Sequence, residues 1–238
     1  MAFKALTSVL ILFALVRCEG QGPDIVDSRE AVPLLMAILS RTKTSGSLEY
    51  SGSACDSIRS FPKLHVPLRI TDPPLQALRE IFSEDPKMEI AQESDGTIRM
   101  AESDVPRDLL DVTISHISFT REPGRSVPLY DPTEAMWAIL RTAEVRQFKL
   151  ANNIGSPAEA VSLPHAPFTP ESPHIGGSLD NVTLSQALDY VHKTFPGLWV
   201  YENCPATEKS RRMVLFSFFS DGPGWIARAE AERRGRIR

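Results

Sequence analysis

A chain of 238 residues with a formal net charge of −4 and 42% hydrophobic residues is long enough for one large or two small domains, and too apolar to be disordered throughout. Its acidic body excludes nucleic acid as a partner, because phosphate recognition needs a clustered basic face.

The N-terminus sets the expected address. Lys4 precedes the apolar run Ala5 to Val16, followed by Arg17-Cys18-Glu19-Gly20-Gln21-Gly22, the layout of a secretory signal peptide over residues 1–20. The run is too short to span a bilayer as a lasting helix, so no transmembrane segment is expected after cleavage, and the predicted location is periplasmic or secreted. Leu15-Val16-Arg17-Cys18 is similar to a bacterial lipobox, which makes Cys18 a candidate lipidation site and a lipid anchor an alternative to free release. Arg17 stands where that pattern wants a small residue. Cleavage after Gly20 removes Lys4, Arg17 and Glu19, moving the charge from −4 to −5 and leaving Cys55 and Cys204. An even pair in an oxidising compartment predicts a structural disulfide between them, and each follows an extended run carrying a tyrosine, "LEYSGSAC" and "WVYENC".

Residues 21–46 hold a helix opened by Ser28, with Val32, Leu35, Met36 and Leu39 recurring at three and four. "SLEYS" and "LHVPLRI" read as extended segments, confined to edges or bends by Pro62 and Pro67. Asp72-Pro73-Pro74 starts a second helix with Leu75, Leu78, Ile81 and Phe82 on one stripe. "KMEIAQ" and "TIRMAE" flank Asp95-Gly96, a hairpin signal. "VPRDLLDV" reads as a short helix with Leu109 and Leu110 inward, and "HISFT" as a closing strand. These segments compose a first module over 47–121. A helical segment over 122–156 opens at Asp131-Pro132-Thr133-Glu134, with Asp131 as cap. The stretch 157–173 carries five prolines and reads as a linker. Residues 174–220 give strand, helix, strand, strand: a second module. The tail over 221–238 gathers five arginines against two glutamates in "IARAEAERRGRIR", a net +3 run that suits a solvated terminus or contact with anionic lipid or a partner. The fold class is therefore α+β: two small βαββ-type modules with additional helices and a proline-rich linker.

One phrase occurs twice. Laying Pro74 to Ile90 on Leu184 to Val200 without a gap sets Gln76, Ala77, Leu78 and Pro86 on Gln186, Ala187, Leu188 and Pro196, with Ile81, Met88 and Ile90 on Val191, Leu198 and Val200. A shared task explains it: a small alanine lets a helix lie close to a sheet, aliphatic residues plug it, and proline ends it before a strand.

The first copy resembles the short N-terminal domain of secretins and TonB-dependent receptors. The matching residues are Ala77-Leu78, the strand Met88 to Ala91, and Val105-Pro106 with Leu109-Leu110. The second copy matches through Ala187-Leu188 and Leu198 to Tyr201 alone, and lacks the second helix. The chain is also similar to small secreted proteins of Gram-negative bacteria. The resemblance implies a protein-protein interaction module without a catalytic site or cofactor, whose partner is a protein of the cell envelope. No secretin or receptor barrel follows in this sequence, so a channel role is not carried over.

Chemistry-bearing patterns are few. Ser40-Arg41-Thr42-Lys43 and Lys43-Thr44-Ser45-Gly46 imitate elements of penicillin-interacting enzymes, but two motifs sharing Lys43 do not converge from separate parts of a fold. His65, His116, His165, His174 and His192 lack zinc-ligand spacing, and no nucleophile elbow, phosphate loop or dinucleotide fingerprint occurs. In "VLFSFF" Val214, Phe216 and Phe218 face one way while Leu215 and Phe219 face the other, which reads as a buried central strand or as an edge that accepts a partner strand. The expectation is a non-catalytic interaction module of the bacterial envelope, docking a protein along Val214, Phe216 and Phe218. The alternative is a small secreted hydrolase-like enzyme assembled from dispersed His, Ser and Asp; a His116 or His192 beside a carboxylate of shifted pKa marks it.

Overall fold

The structure, a computed structural model, describes residues 28–41, 43–52, 64, 73–122, 125–156, 173–208 and 210–220. The signal peptide, Cys18, Cys55, residues 157–172 of the linker and the basic tail lie outside the described residues. In chain order the elements are α1 (Ser28–Arg41), β1 (Gly46–Ser51), α2 (Pro74–Ile81), β2 (Met88–Gln92), β3 (Ile98–Glu102), β4 (Thr113–Ser118), β5 (Thr120–Glu122) and β6 (Arg125–Pro128). They continue as α3 (Pro132–Leu140), α4 (Ala143–Ala151), β7 (Ser178–Thr183), α5 (Leu184–His192), β8 (Gly197–Cys204) and β9 (Met213–Ser220). The class is α+β.

Local chemistry sets the boundaries. Asp131 Oδ1 accepts from Thr133 N at 2.6 Å ahead of Pro132, satisfying one orphan donor of α3. Thr183 and Gln186 form a reciprocal capping box at α5, with Gln186 N donating to Thr183 Oγ1 at 3.2 Å and Thr183 N to Gln186 Oε1 at 2.9 Å. Between β2 and β3 Asp95 Oδ1 accepts from Thr97 N at 3.0 Å, and Gly96 takes the positive φ that the turn requires.

Five strands form one sheet in the order β2-β3-β1-β8-β9. β1 is parallel to β3 on one side and to β8 on the other; β2 and β9 close the two ends antiparallel to β3 and β8. Strands of both sequence modules thus share a sheet, with β1 in its centre and not at an edge. Alternation of side chains sends Leu48, Tyr50, Ile98, Met100, Leu198 and Val200 into a core with α1 and α2. Trp199, Tyr201 and Val214 enter a second core with α3, α4 and α5 on the opposite face. All eight positions of β8 are buried, as expected for a strand covered on both faces.

The twin phrases agree in their helices and part company in their strands. Ala77, Leu78 and Ile81 are buried, and so are Ala187, Leu188 and Val191. Met88 and Ile90 then pack in the core of their own helix, α2. Their counterparts Leu198 and Val200 point away from α5 into that same α1–α2 core, and α5 rests on Trp199 and Tyr201 instead. A slip of one residue in strand facing separates the two units.

Other expectations are corrected. Val105 to Val112 is a run of turns rather than a helix, although Leu109 and Leu110 are buried as expected. The reason lies in its partners: the carbonyls of Leu110 and Val112 accept from Ser185 N and Leu184 N at 3.0 and 2.9 Å, so they serve the first turn of α5. β4 does not close the first module; it pairs antiparallel with β7 in a separate ribbon, and β5 with β6 in another, ahead of the expected helices.

Gly197 opens β8 where β9 ends. A Cβ there would stand 2.0 Å from the carbonyl oxygen of Phe219, a backbone atom that cannot turn aside. Gly197→Ala is expected to lower stability by about 1–3 kcal/mol, the usual cost of forcing atoms into filled space. Urea unfolding checks it; a variant as stable as the wild type contradicts the close approach.

Candidate functional site

The C-terminal strand carries the candidate site. β9 stands at one end of the sheet, and its sequence, MVLFSFFS, holds no charged residue. Val214 N donates to Gly155 O at 2.9 Å, on the side away from β8. By the alternation of an antiparallel ladder, Met213, Leu215, Ser217 and Phe219 then bond to β8, while Phe216, Phe218 and Ser220 turn their backbone groups outward. Gly155 covers the start of the edge through its bridge to Met213, and among the described residues no hydrogen bond covers the run beyond Val214.

The two edges differ. At β2 the outward carbonyl of Ile90 accepts from Arg79 Nη2 at 3.3 Å, and exposed Glu89 adds a charge, both common guards against strand addition. β9 has neither. Val214 is buried, and Phe216 and Phe218 are half-buried against the α5 core, with the Phe216 ring 5.1 Å from that of Tyr201. On the other face Phe219 remains 37% exposed; Leu150 is the other exposed large hydrophobic among the described residues.

Beneath this edge lies a largely buried polar pair on α5, Asp189 and His192. His192, at the end of α5, tilts against the Phe218 ring at 5.1 Å, and neither ring nitrogen has a hydrogen-bond partner among the described residues. Burial lowers its pKa to about 3. One turn earlier Asp189 accepts from Trp199 Nε1 at 2.7 Å. Burial pushes the Asp189 carboxyl up to about 6, against the opposing effect of the Trp199 bond, with the charges of Asp95, Glu49 and Glu93 adding to the rise. The only signal in the sequence was the three-residue spacing of Asp189 and His192, which sets them on one helical side.

A second buried charge lies in the sheet centre. Glu49 on β1 is 1% exposed, and its carboxylate accepts from Arg99 Nε at 3.0 Å, from Arg99 Nη2 at 3.3 Å and from Arg107 Nη1. Beside it Arg212 grips Asp108 with two bonds of 2.7 Å, donates to Asn203 Oδ1 at 2.6 Å and to Tyr201 Oη at 3.1 Å. Tyr201 Oη in turn donates to Pro106 O at 3.2 Å, and burial pushes that phenol up to about 12. These side chains are saturated by one another. They fasten the 103–112 turns to the sheet and supply no free reactive group.

The remaining candidates are dispersed. His116 on β4 pairs with Asp180 on β7 at 2.6 Å, both side chains largely exposed, and no hydroxyl hydrogen-bonds to His116 among the described residues. Ser40 donates to Ala37 O at 3.4 Å in the last turn of α1, and Lys43 follows with φ +54, so the Ser-x-x-Lys imitation is a helix end. His65 and His165 lie outside the described residues, and His174 packs on Tyr130. No group of His, Cys, Asp and Glu among the described residues is arranged to hold a metal ion, and no described helix is long and apolar enough to cross a membrane. Cys204 is buried at the end of β8, and Cys55, its expected disulfide partner, lies outside the described residues. A Cβ on Gly52 would stand 3.3 Å from the Cys204 sulfur. No protein-family model matches the chain, and no curated protein or solved structure matches it either.

The Asp189–His192 pair predicts a particular pH dependence. The folded pKa of His192 lies below the ordinary 6.5, so unfolding takes up a proton there, and its contribution to stability is lost as pH falls from 6.5 toward 3. The folded pKa of Asp189 lies above 3.8, so the native state holds the extra proton, and its contribution is present at low pH and lost as pH rises through 6. Between about pH 4 and 6 the two slopes oppose each other. His192→Phe is therefore expected to gain stability relative to the wild type as pH falls from 7 to 4, and Asp189→Asn to lose it. Urea midpoints across that range test the signs; parallel profiles for all three proteins contradict the burial of the pair.

Proposed function

We propose that this protein is a secreted or periplasmic binding module without catalytic activity, and that it docks a protein partner of the cell envelope by adding a strand to β9. The observation that carries the reading is the contrast between the edges: β2 is guarded by Arg79 and Glu89, whereas β9 offers outward backbone groups between Phe216 and Ser220 with no charge along the strand. Strand addition draws affinity from such main-chain groups and specificity from alternate side chains, here Val214, Phe216 and Phe218. The resemblance of Ala77-Leu78 and Met88 to Ala91 to the short secretin and TonB-receptor domain points to the same class.

The oxidising address agrees with the cysteines. Gly52, beside the Cys204 sulfur, is three residues from Cys55, and we infer that Cys55 is its partner. That link ties the end of β8 to the segment that follows β1. The hydrolase alternative draws on Asp189 and His192, which stand one helical turn apart with a shifted carboxyl. Against it, Trp199 holds the carboxylate and both nitrogens of His192 are sealed from solvent, so neither reaches a substrate in this conformation.

The test separates the backbone from the ring. Phe216→Pro and Phe216→Ala both remove the aromatic side chain, but only proline removes the outward N–H. A fluorescent strand peptide of alternating valine and threonine is expected to bind the wild type saturably, and Phe216→Pro to weaken it roughly tenfold more than Phe216→Ala, as loss of one good backbone bond implies. Equal binding by both variants, or none by the wild type, overturns the reading, as does ester turnover that disappears in Asp189→Asn.

A further inference from the structure

We propose that the strand which fills this edge is β9 of a second copy of the chain, giving a two-fold dimer with one sheet continuous across both protomers. The proposal rests on the β9 docking reading and names its occupant.

The register follows from which outward groups have no hydrogen-bond partner among the described residues. Pairing antiparallel about Phe218 sets Phe218 opposite its own copy and Phe216 opposite Ser220 in both directions. Each of these pairs exchanges two backbone hydrogen bonds in an antiparallel ladder. Every outward group from Phe216 to Ser220 is used, and the bond between Val214 N and Gly155 O stays intact. A register centred on Ser217 would instead call on Val214, whose N–H is already taken.

Charge selects the occupant. A partner strand bearing lysine or glutamate would bring an unpaired charge against the aromatic run Phe216, Phe218 and Phe219, whereas MVLFSFFS laid beside itself brings none. The same register pairs Ser217 with Phe219 of the second copy, and Phe219 with its Ser217. Two exposed aromatic rings are thereby brought over the two-fold axis on the face where Phe219 is otherwise left in water. Growth beyond two copies is opposed because the far edge, β2, carries Arg79 on its Ile90 carbonyl and exposed Glu89. An isologous contact with guarded outer edges closes at a dimer.

Sedimentation of the full chain from low to high micromolar concentration tests this. The wild type is expected to be a dimer. Phe219→Lys sets two ammonium groups near the two-fold axis and is expected to raise the dimer Kd roughly tenfold or more, like charges being unfavourable on neighbouring strands. Its far-UV circular dichroism should match the wild type, since Phe219 projects outside the core. Phe219→Leu should remain dimeric. A wild type that stays monomeric at high micromolar concentration overturns the proposal, and so does a Phe219→Lys dimer as tight as the wild type's. Adding the valine-threonine peptide to the same samples separates the two levels. A monomer that binds the peptide refutes the second copy alone and leaves strand docking standing; a monomer that ignores it refutes both.

Discussion

Parallel pairing of β1 on both of its sides is the constraint on which the rest of the molecule depends. Parallel neighbours cannot be joined by tight hairpins, so the chain must cross a face of the sheet each time it returns. Between β1 and β3 it passes through α2 on one face; between β3 and β8 it passes through α3, α4 and α5 on the other. Two covered faces follow, and with them the complete burial of β8. Glu49 shows the consequence at the level of one side chain. On a half-exposed strand its carboxylate would face water, but here it lies under the 103–112 turns and needs Arg99 and Arg107 to offset its desolvation. Those turns are held to the sheet by that pair and by the bond of Asp108 with Arg212.

A five-stranded sheet covered on both faces has two edges left, and the chain treats them differently. β2 is short, charged and capped by a guanidinium, while β9 is long, neutral and aromatic. The side chains of β9 also join the edge to the core below it. Phe218 lies on His192, Asp189 lies one turn back on the same helix, and Trp199 bonds Asp189 from the neighbouring strand. A strand added outside β9 would press on a layer whose two titratable groups are both held away from their ordinary pKa values by burial. The proposed docking edge and the electrostatics of α5 are therefore adjacent in the structure.

Much of the secondary structure was legible because its signals are local. Asp131 ahead of Pro132 and the Asp95-Gly96 turn each act within a few residues, and each stands where the pattern put it; the Thr183–Gln186 box that opens α5 is equally local but was not read. What escaped depends on distant partners. Val105 to Val112 has the apolar spacing of a helix, yet its carbonyls serve α5 and its charged side chains serve Glu49 and Arg212, contacts 58 and 104 residues away in sequence. "SLEYS" alternates like a strand with one wet face, and nothing within it announces that β3 and β8 will flank it. The twin phrases mislead for the same reason: their helices are alike in burial, but which parity of the following strand faces the helix is decided by the sheet as a whole. For the site, the aromatic alternation of β9 was readable, whereas Asp189 was invisible until Trp199 was seen to reach it.

Residue-resolved amide hydrogen exchange along β9, on protein held monomeric by dilution, tests the open edge most directly. The account predicts an alternating pattern: slow exchange at Leu215, Ser217 and Phe219, which bond to β8, slow exchange at Val214, which bonds to Gly155, and fast exchange at Phe216 and Phe218. Uniformly slow exchange from Met213 to Ser220 in the monomer would mean that the edge is already covered, and the account of β9 as a docking strand would be contradicted.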